Sequence, residues 1–466
     1  MAPTQEVQTD TQAGHDQKEK EAEVIHQELS IERNNMCPAE WLSRYPLIAD
    51  KSETELKKLR KGLVRKLDWI FLPTITVMLL LGYLDRINVA NARLAGLQDD
   101  LGMDDKIWSL GISAFYIGFI ISQLPATVYL ARGRPQIQIP LHVIACWYTK
   151  EEAPLRMAIW HAGNIISNVF SGLLAAGILT NMEGVANLRA WQWFFIIEGV
   201  AGAALGIGAF WGIPNYPHDH NVRWISPEQA ELAQYRMLCS NGGVTENDDG
   251  GMWEGVKLAI FDPFTWIFTV LHTGLILALA FKDFFPSIVA TLGYSDLMTY
   301  LIQAPPYVFA YIACIGFSWS AGKYMEHCWH IIATSMMSII GTAIVISTMN
   351  VGARYFGMFF MCAGPFVGLN IHIPWETTNV FSPRTKRGAL LAITHSIASA
   401  THWFSPYFFL RSQEPMYENG GILIIVGAVL GIAGCLVCKW YVKKLNKKLD
   451  EHEREHSLPK GWRYVD

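Results

Sequence analysis

Asp85 and Arg86 stand side by side in Tyr83-Leu84-Asp85-Arg86-Ile87-Asn88, at the end of a run that is almost wholly apolar from Trp69. A charge at membrane depth costs roughly 2.5–3.5 kcal/mol on insertion scales, so each one needs a reason. A guanidinium binds a carboxylate through two parallel hydrogen bonds. An aspartate in a low-dielectric cavity can have its pKa raised enough to load and release a proton near neutrality. Neighbouring helical residues project about 100° apart, so the two need not neutralise each other. The pair therefore reads as an anion ligand (Arg86) beside a proton carrier or modulator (Asp85), or else as an interfacial salt bridge that ends the helix.

Lys282 and Asp283 precede Pro286, which removes a backbone hydrogen bond and can kink the helix. Broken helices often border transport sites, so Lys282 is a second candidate anion ligand. Its alternative is snorkelling to the outer headgroups. Gln303, ahead of Ala304-Pro305-Pro306, is a candidate cavity hydrogen-bond donor. His161 and Asn164, three apart, share a helix face and are expected to line the cavity. Asn370, His372 and Glu376 are polar points expected to make interhelical hydrogen bonds, with a titrating, cavity-facing histidine as the alternative. Glu198 is expected to pair near the inner half of its helix. His395 and His402, seven apart, share a face on helical spacing, but the ligands are too few and too loosely spaced for a metal site. No metal, cofactor or catalytic constellation is expected. Cys435 and Cys438 form a CxxC without a nearby histidine, which reads as helix packing.

These residues are carried by spans. A helix crosses a bilayer with about 20 mostly apolar residues. The 466-residue chain is 51% hydrophobic and 17% charged, with a mean hydropathy of +0.20, and its apolar residues come in blocks. A net charge of −4 gives no reason to expect a nucleic-acid partner. Ten crossings are predicted: Trp69–Leu84 continuing past Asp85, Trp108–Leu130, Met157–Thr180, Trp193–Ile213, Thr265–Leu292, Met298–Ala321, His330–Met349, Tyr355–Ile373, Gly388–Leu410 and Gly421–Tyr441. Lys57, Lys58, Arg60, Lys61, Arg65 and Lys66 put the N-terminus inside, and the later basic loops fall on that same side. Residues 1–66 read as a disordered cytoplasmic tail with no secretory signal. Residues 67–213 read as an N-terminal bundle, 214–263 as a cytoplasmic linker, 264–441 as a C-terminal six-helix bundle and 442–466 as a cytoplasmic tail. Ser226-Pro227-Glu228 starts a short helix inside the linker. Gly163, Gly172, Gly177, Gly199, Gly202, Gly206 and Gly208 are expected to let helices approach closely within the fold.

Several segments resemble one family. Tyr83-Leu84-Asp85-Arg86-Ile87-Asn88, with Asn91 and Gly96-Leu97, is similar to the YxDRxN signature of the anion:cation symporter branch of the major facilitator superfamily. Cys146-Trp147-Tyr148-Thr149-Lys150-Glu151-Glu152 resembles the lead into the fifth helix of its fungal members. Trp191-Gln192-Trp193-Phe194-Phe195-Ile196-Ile197-Glu198-Gly199 resembles their sixth-helix entry, Ala304-Pro305-Pro306-Tyr307-Val308 their eighth, and Thr385-Lys386-Arg387 the lead into their eleventh. The chain is most similar to fungal allantoate, nicotinate and pantothenate permeases. That resemblance implies an all-α polytopic membrane protein with a major-facilitator fold, but with about ten transmembrane helices (4 + 6) in place of twelve.

The junction of Ile144 and Ala145 joins what resembles the start of helix three to the end of helix four. The family's fourth-helix R-x-x-x-G-x-x-E has no counterpart here. Arg132-Gly133-Arg134 keeps the basic end of the family's loop after helix two without its acid.

The implied activity is proton-coupled symport of a small organic anion, a vitamin carboxylate or an allantoate-like ureide. The implied partners are that anion, protons and the lipid bilayer. Asp85, Arg86, Asn88, His161, Asn164, Lys282, Gln303, Asn370 and His372 are the candidate binding residues. A monomer in the plasma membrane is expected. No nucleotide-binding G-x-x-x-x-G-K-S/T occurs, so an ion gradient fits better than ATP hydrolysis. The alternatives are a transport-dead paralogue acting as a sensor or interaction protein, and a skipped exon in a full-length transporter.

Overall fold

The computed structural model describes residues 39–130, 147–149, 152–212, 224–240, 252–380, 384–455 and 463–465, and no strand occurs among them. Ten principal helices carry the fold: α1 Leu72–Leu94, α2 Asp105–Leu130, α3 Ala153–Ile178, α4 Ala190–Gly212, α5 Pro263–Ala278, α6 Ala304–Tyr324, α7 Cys328–Ser347, α8 Val351–Asn379, α9 Arg384–Ser399 and α10 Glu418–Glu455. Seven helical stretches among the described residues are long and apolar enough to cross a membrane; one of them, Glu53–Leu94, contains α1. The protein is all-helical. The Ile144–Ala145 junction, Arg132 to Arg134 and most of the N-terminal tail lie outside the described residues.

Local chemistry sets the helix boundaries. The Asp262 side chain accepts from the N–H of Phe264 at 2.9 Å, and Pro263 fills the first position of α5. Asn350 caps α8 by accepting from Ala353 at 3.0 Å. Pro286 sits in the first turn of a short helix, Phe285–Ala290, where its missing N–H costs nothing. The chain before it tightens into a 3-10 turn, Ala280–Asp283. The span expected over Thr265–Leu292 is thus interrupted at Lys282-Asp283. A second break falls at Gln303, between Asp296–Ile302 and α6.

The molecule divides into two compact units. The smaller comprises Met1–Val64, Pro217–Asp248 and Lys444–Tyr464. Within it the predicted linker helix runs Pro227–Ser240 and opens on a reciprocal cap. The Ser226 hydroxyl accepts from the Gln229 N–H, and the Gln229 side chain accepts from the Ser226 N–H. The larger unit, Arg65–Tyr216, Asp249–Lys443 and Val465–Asp466, holds the membrane helices.

Glycines let several of these helices pack backbone to backbone. A Cβ on Gly274 of α5 would lie 2.4 Å from the Gly431 nitrogen of α10, and one on Gly341 of α7 would lie 2.5 Å from the Gly357 oxygen of α8. Gly172 of α3 similarly meets the Tyr300 carbonyl at 2.9 Å, and Gly163 meets Thr76 of α1 at 3.1 Å. The other expected contacts do not form: no described atom lies within 4 Å of a Cβ on Gly177, Gly199, Gly202, Gly206 or Gly208. Those residues sit on faces of α3 and α4 that no described helix covers, because small-residue spacing permits close packing without supplying the partner.

Candidate substrate site

The break after α5 places Lys282 and Asp283 against α2 and the chain beyond α9. Lys282 Nζ donates to the Tyr116 hydroxyl at 2.7 Å and to Asp283 Oδ1 at 2.9 Å. Tyr116 Oη also lies 3.2 Å from Asp283 Oδ2. The His402 ring stacks flat on Tyr116, with centroids 4.0 Å apart. His402 Nδ1 lies 3.7 Å from Asp283 Oδ2. Both charged side chains are nearly enclosed, at 12% and 10% exposure, so they form a buried pair and do not reach for headgroups.

Arg86 is held differently. Its guanidinium lies 4.2 Å from the Phe119 ring centroid, 5.3 Å from Tyr83 and 5.8 Å from Phe115. Aromatic faces attract a cation without occupying its N–H groups. Among the described residues Arg86 has no hydrogen-bond or ion-pair partner, so its donor fork is committed to none of them. Phe115 also packs edge-on against Tyr116 at 5.3 Å, which ties the Arg86 cage to the Lys282 cluster. Across the described side chains, Arg86 and Lys282 against Asp283 leave one net positive charge. Low-dielectric walls focus such a potential on an entering anion.

The remaining expected residues fall in separate places. Asn88 is buried; its amide donates to Glu198 and its carbonyl accepts from the Ser171 hydroxyl, while Asn91 donates to that hydroxyl at 2.7 Å. This network ties α1, α3 and α4 together. Glu198 lies nine residues into α4, and its partner Asn88 lies in the C-terminal part of α1. Asn164 is buried, and its backbone carbonyl accepts from Ser167 and Asn168. Gln303 donates to the Thr299 carbonyl at 3.2 Å, at the seam where Gly172 meets Tyr300. Asn370 donates to Ser318 at 3.1 Å. His372 lies 3.0 Å from His272 and 3.3 Å from Glu376. The side chains of Asp85 and His161 lie outside the described residues.

His395 and His402 meet different rings. α9 ends at Ser399 and the chain tightens into a 3-10 turn, Ala400–Trp403, which carries His402 one turn further along the bundle. His395 therefore meets the His272 ring at 5.5 Å, while His402 meets Tyr116. Tyr116 and His272 went unnoticed in the sequence, since one aromatic or one histidine in an apolar span carries no spacing signal. Cys435 and Cys438 are buried free thiols, as helix packing requires.

A polar latch joins the end of α1, the start of α2 and the chain beyond α9. Arg93 donates to Gln98 at 2.6 Å and to Asp105 at 3.0 Å. The backbone N–H of Arg411 donates to Asp105 at 2.9 Å, and its guanidinium to Asp99 at 3.2 Å. Ser113 of α2 donates to the Trp403 carbonyl at 2.8 Å. Burial opposes ionisation of Asp105, but the Gln98 hydrogen bond, the Arg411 N–H and the Arg93 charge outweigh it and hold the carboxyl below its ordinary value.

A family model described as Major Facilitator Superfamily matches residues 139–406. The chain belongs to that superfamily. It is 26% identical to the MFS-type transporter cnsO of Penicillium expansum over 442 positions, covering 84% of this chain and 85% of that protein. It is 23% identical to the high-affinity nicotinic acid transporter of Saccharomyces cerevisiae, covering 84% and 79%. Among solved structures it is similar to a bacterial homologue of the human lysosomal transporter Spinster, in an inward-facing, unoccupied conformation. That likeness has a TM-score of 0.55 and 11% identity, and covers 83% of this chain and 96% of the other. A double-tryptophan mutant of XylE gives a TM-score of 0.54 at 12% identity, covering 78% and 94%. This superfamily protein is therefore a multi-pass membrane transporter of small molecules.

Proposed function

We propose that this major-facilitator protein couples inward proton movement to uptake of a small organic monoanion, with Arg86 as the principal ligand. The uncommitted Arg86 guanidinium carries this reading. It has aromatic rings suited to a planar substrate and no counter-ion among the described residues, and the neighbouring Lys282–Asp283 pair, neutral in sum, leaves its charge to be met by a ligand. A monocarboxylate answers both the fork and the charge. Lys282, already paired with Asp283, tunes the field in place of binding directly. Asp85 stays a proposed proton partner. The similarity to a nicotinic acid transporter favours an aromatic carboxylate such as nicotinate. A monomer in the plasma membrane, rocking one bundle against the other around this site, completes the proposal.

A transport-dead protein is the second reading, favoured by the uncovered face of α4. The alignment with cnsO bears on it too. Its 442 positions exceed the roughly 391 residues (84% of 466) that this chain contributes, so about fifty of them have no counterpart here. That length suits two helices at about 20–25 residues each.

The two readings separate in transport-deficient cells expressing the chain. A panel of labelled carboxylates, offered at two external pH values, should show saturable uptake of an aromatic monocarboxylate that rises at the acid value. No saturable uptake of any acid, with protein present at the membrane, favours the transport-dead reading.

A further inference from the structure

The helix Glu53–Lys66 leads through the Leu67–Phe71 turn into α1. It carries six cations, Lys57, Lys58, Arg60, Lys61, Arg65 and Lys66, against Glu53 and Glu55, a net of +4. Successive helical residues turn by about 100°, which places Lys57, Lys58, Lys61 and Arg65 in one sector about 100° wide. Leu56, Leu59 and Leu63 fall in the opposite sector. Leu63 is fully buried and Leu56 and Leu59 are half-buried, whereas all four of those cations are exposed. The apolar stripe is turned against the protein and the basic stripe away from it.

Little within the chain neutralises that stripe. Lys57 pairs with Glu53 at 2.6 Å, one turn back on the same helix. Lys58, Lys61 and Arg65 have no ion-pair or hydrogen-bond partner among the described residues. Like charges four apart, as at Lys57 and Lys61 or Lys61 and Arg65, repel and weaken an isolated helix. A second basic run shows the contrast. Residues 443–455 at the end of α10 hold five Lys or Arg and four Asp or Glu, and Lys447 reaches Glu451 at 3.8 Å. That helix end balances its own charge, and Glu53–Lys66 does not.

Trp69 indicates what lies beside the stripe. It is 76% exposed, four residues beyond Arg65, and Ile70 after it is 41% exposed. An indole with open apolar surface and a polar N–H suits the boundary of the hydrocarbon. Glu53–Leu94 is one helical stretch, long and apolar enough to cross a membrane. At 1.5 Å per residue, Arg65 stands about 6 Å, Lys61 about 12 Å and Lys58 about 16 Å from Trp69 along it. The headgroup layer is about 5–7 Å deep on each side of the hydrocarbon. An anionic surface acts over a further Debye length of about 8 Å. Arg65 therefore falls among the phosphates, and Lys61 and Lys58, on long flexible side chains, reach into their field.

We propose that the face formed by Lys58, Lys61 and Arg65 docks on anionic phospholipid headgroups of the leaflet in which α1 begins, and anchors the helix to that surface. Residues 1–38, which lie outside the described residues, are the rival occupant, with eight Asp or Glu against three Lys or Arg. Their acids are spread from Glu6 to Glu32, so gathering them onto three cations costs the ordering of a long segment. Headgroups require no such ordering, because they surround Trp69 whenever the chain is in a bilayer. The docking does not depend on what the chain transports.

The test uses the full chain in nanodiscs of phosphatidylcholine, with and without one quarter phosphatidylglycerol, neither of which carries a reactive amine. Acetylation of each lysine is followed by mass spectrometry. Lys58 and Lys61 should react at least about threefold more slowly in the anionic discs, the factor that a surface potential of about −30 mV imposes on a single charge. High salt should restore their rates. Lys447, balanced by Glu451, should slow less. Equal rates in the two kinds of disc overturn the proposal, and so does equal slowing at Lys447, which would report only the general potential of the surface. Lys58 and Lys61 that are slow in both kinds of disc, and quickened by salt in both, would place the acidic segment on the stripe and overturn it likewise.

A triple variant, Lys58→Gln with Lys61→Gln and Arg65→Gln, should lose at least threefold of the parent's preference for spin-labelled phosphatidylglycerol over spin-labelled phosphatidylcholine. Lys58→Arg with Lys61→Arg should keep that preference, and thermal unfolding checks that both variants are folded. Parental preference in a folded triple variant overturns the proposal. If the triple variant does not fold, the acetylation rates of the parent decide alone.

Discussion

In the C-terminal half, 78% of the most apolar stretch of both Pro263–Asp283 and Val351–Asn379 is buried, whereas the figure for Ala190–Gly208 in the N-terminal half is 17%. Both halves are rich in glycine, yet their glycines do different things. Gly274, Gly427 and Gly434 bring α5 and α10 into backbone contact, and an added Cβ on any of them would lie under 3 Å from the opposite helix. Gly199, Gly202, Gly206 and Gly208 meet no described atom. Gly202-Ala203-Ala204-Leu205-Gly206 has the spacing of a helix-packing motif, so the difference lies in the partner and not in the sequence. A bundle short of two helices would leave such a face to lipid. The proposed substrate site draws on both: Arg86, which has no ion-pair partner among the described residues, comes from the sparse half, and the buried Lys282–Asp283 pair comes from the dense one.

The largest effect should come from the latch that joins the two halves. Arg93 is 3% exposed, and Arg93→Ala would strand Asp105 and Gln98 at a cost of about 3 kcal/mol, toward the low end for a broken buried pair. Thermal unfolding in detergent should show a clear drop, and an unchanged midpoint would mean that the buried Arg93–Asp105 pair does not stabilise the latch.

Gly274→Ala comes next. Its Cβ would fall 2.4 Å from the Gly431 nitrogen and 2.7 Å from the Gly427 carbonyl, both backbone atoms, so α5 and α10 must separate. Overpacking of this kind costs about 1–3 kcal/mol, read by the same unfolding measurement.

Acid should weaken the latch more gently. Asp105 is held below its ordinary value, so its contribution is present above about pH 4 and is lost as pH falls through the folded value. Cysteine-labelling accessibility at Ser109 (as S109C) should rise on acidification below that point. In an Asp105→Asn background this dependence should disappear.

Gly202→Ala should have the smallest effect, from neutral to about 1 kcal/mol stabilising, since alanine is the better helix former and the face is open. A loss of stability there would show α4 covered after all and would erase the contrast between the halves.

Much of the fold was legible because it rests on block hydropathy and local caps. The Ser226-Pro227-Glu228 start, the break before Pro286 and the charged pair at Lys282-Asp283 all follow from chemistry within a few residues. What depends on distant partners was not legible. Asn88 could be marked as polar, but not as the ligand of Glu198 across more than a hundred residues. Lys282 could be marked as a cation, but its hydrogen bond to Tyr116 depends on how α2 packs. Helical spacing put His395 and His402 on one face, but it could not say that one would meet His272 and the other Tyr116. The seven glycines looked alike, and among the described residues only Gly163 and Gly172 found a neighbour.

The most direct measurement is uptake of labelled nicotinate into proteoliposomes under an acid-outside gradient, comparing the parent with Arg86→Ala. The expected result is gradient-dependent accumulation by the parent and a loss of at least tenfold in the variant, in keeping with about 1.5–3 kcal/mol for a charge-assisted hydrogen bond. Equal accumulation by the two proteins would contradict Arg86 as the anion's ligand, and a folded parent that accumulates no organic acid under any gradient would contradict symport itself.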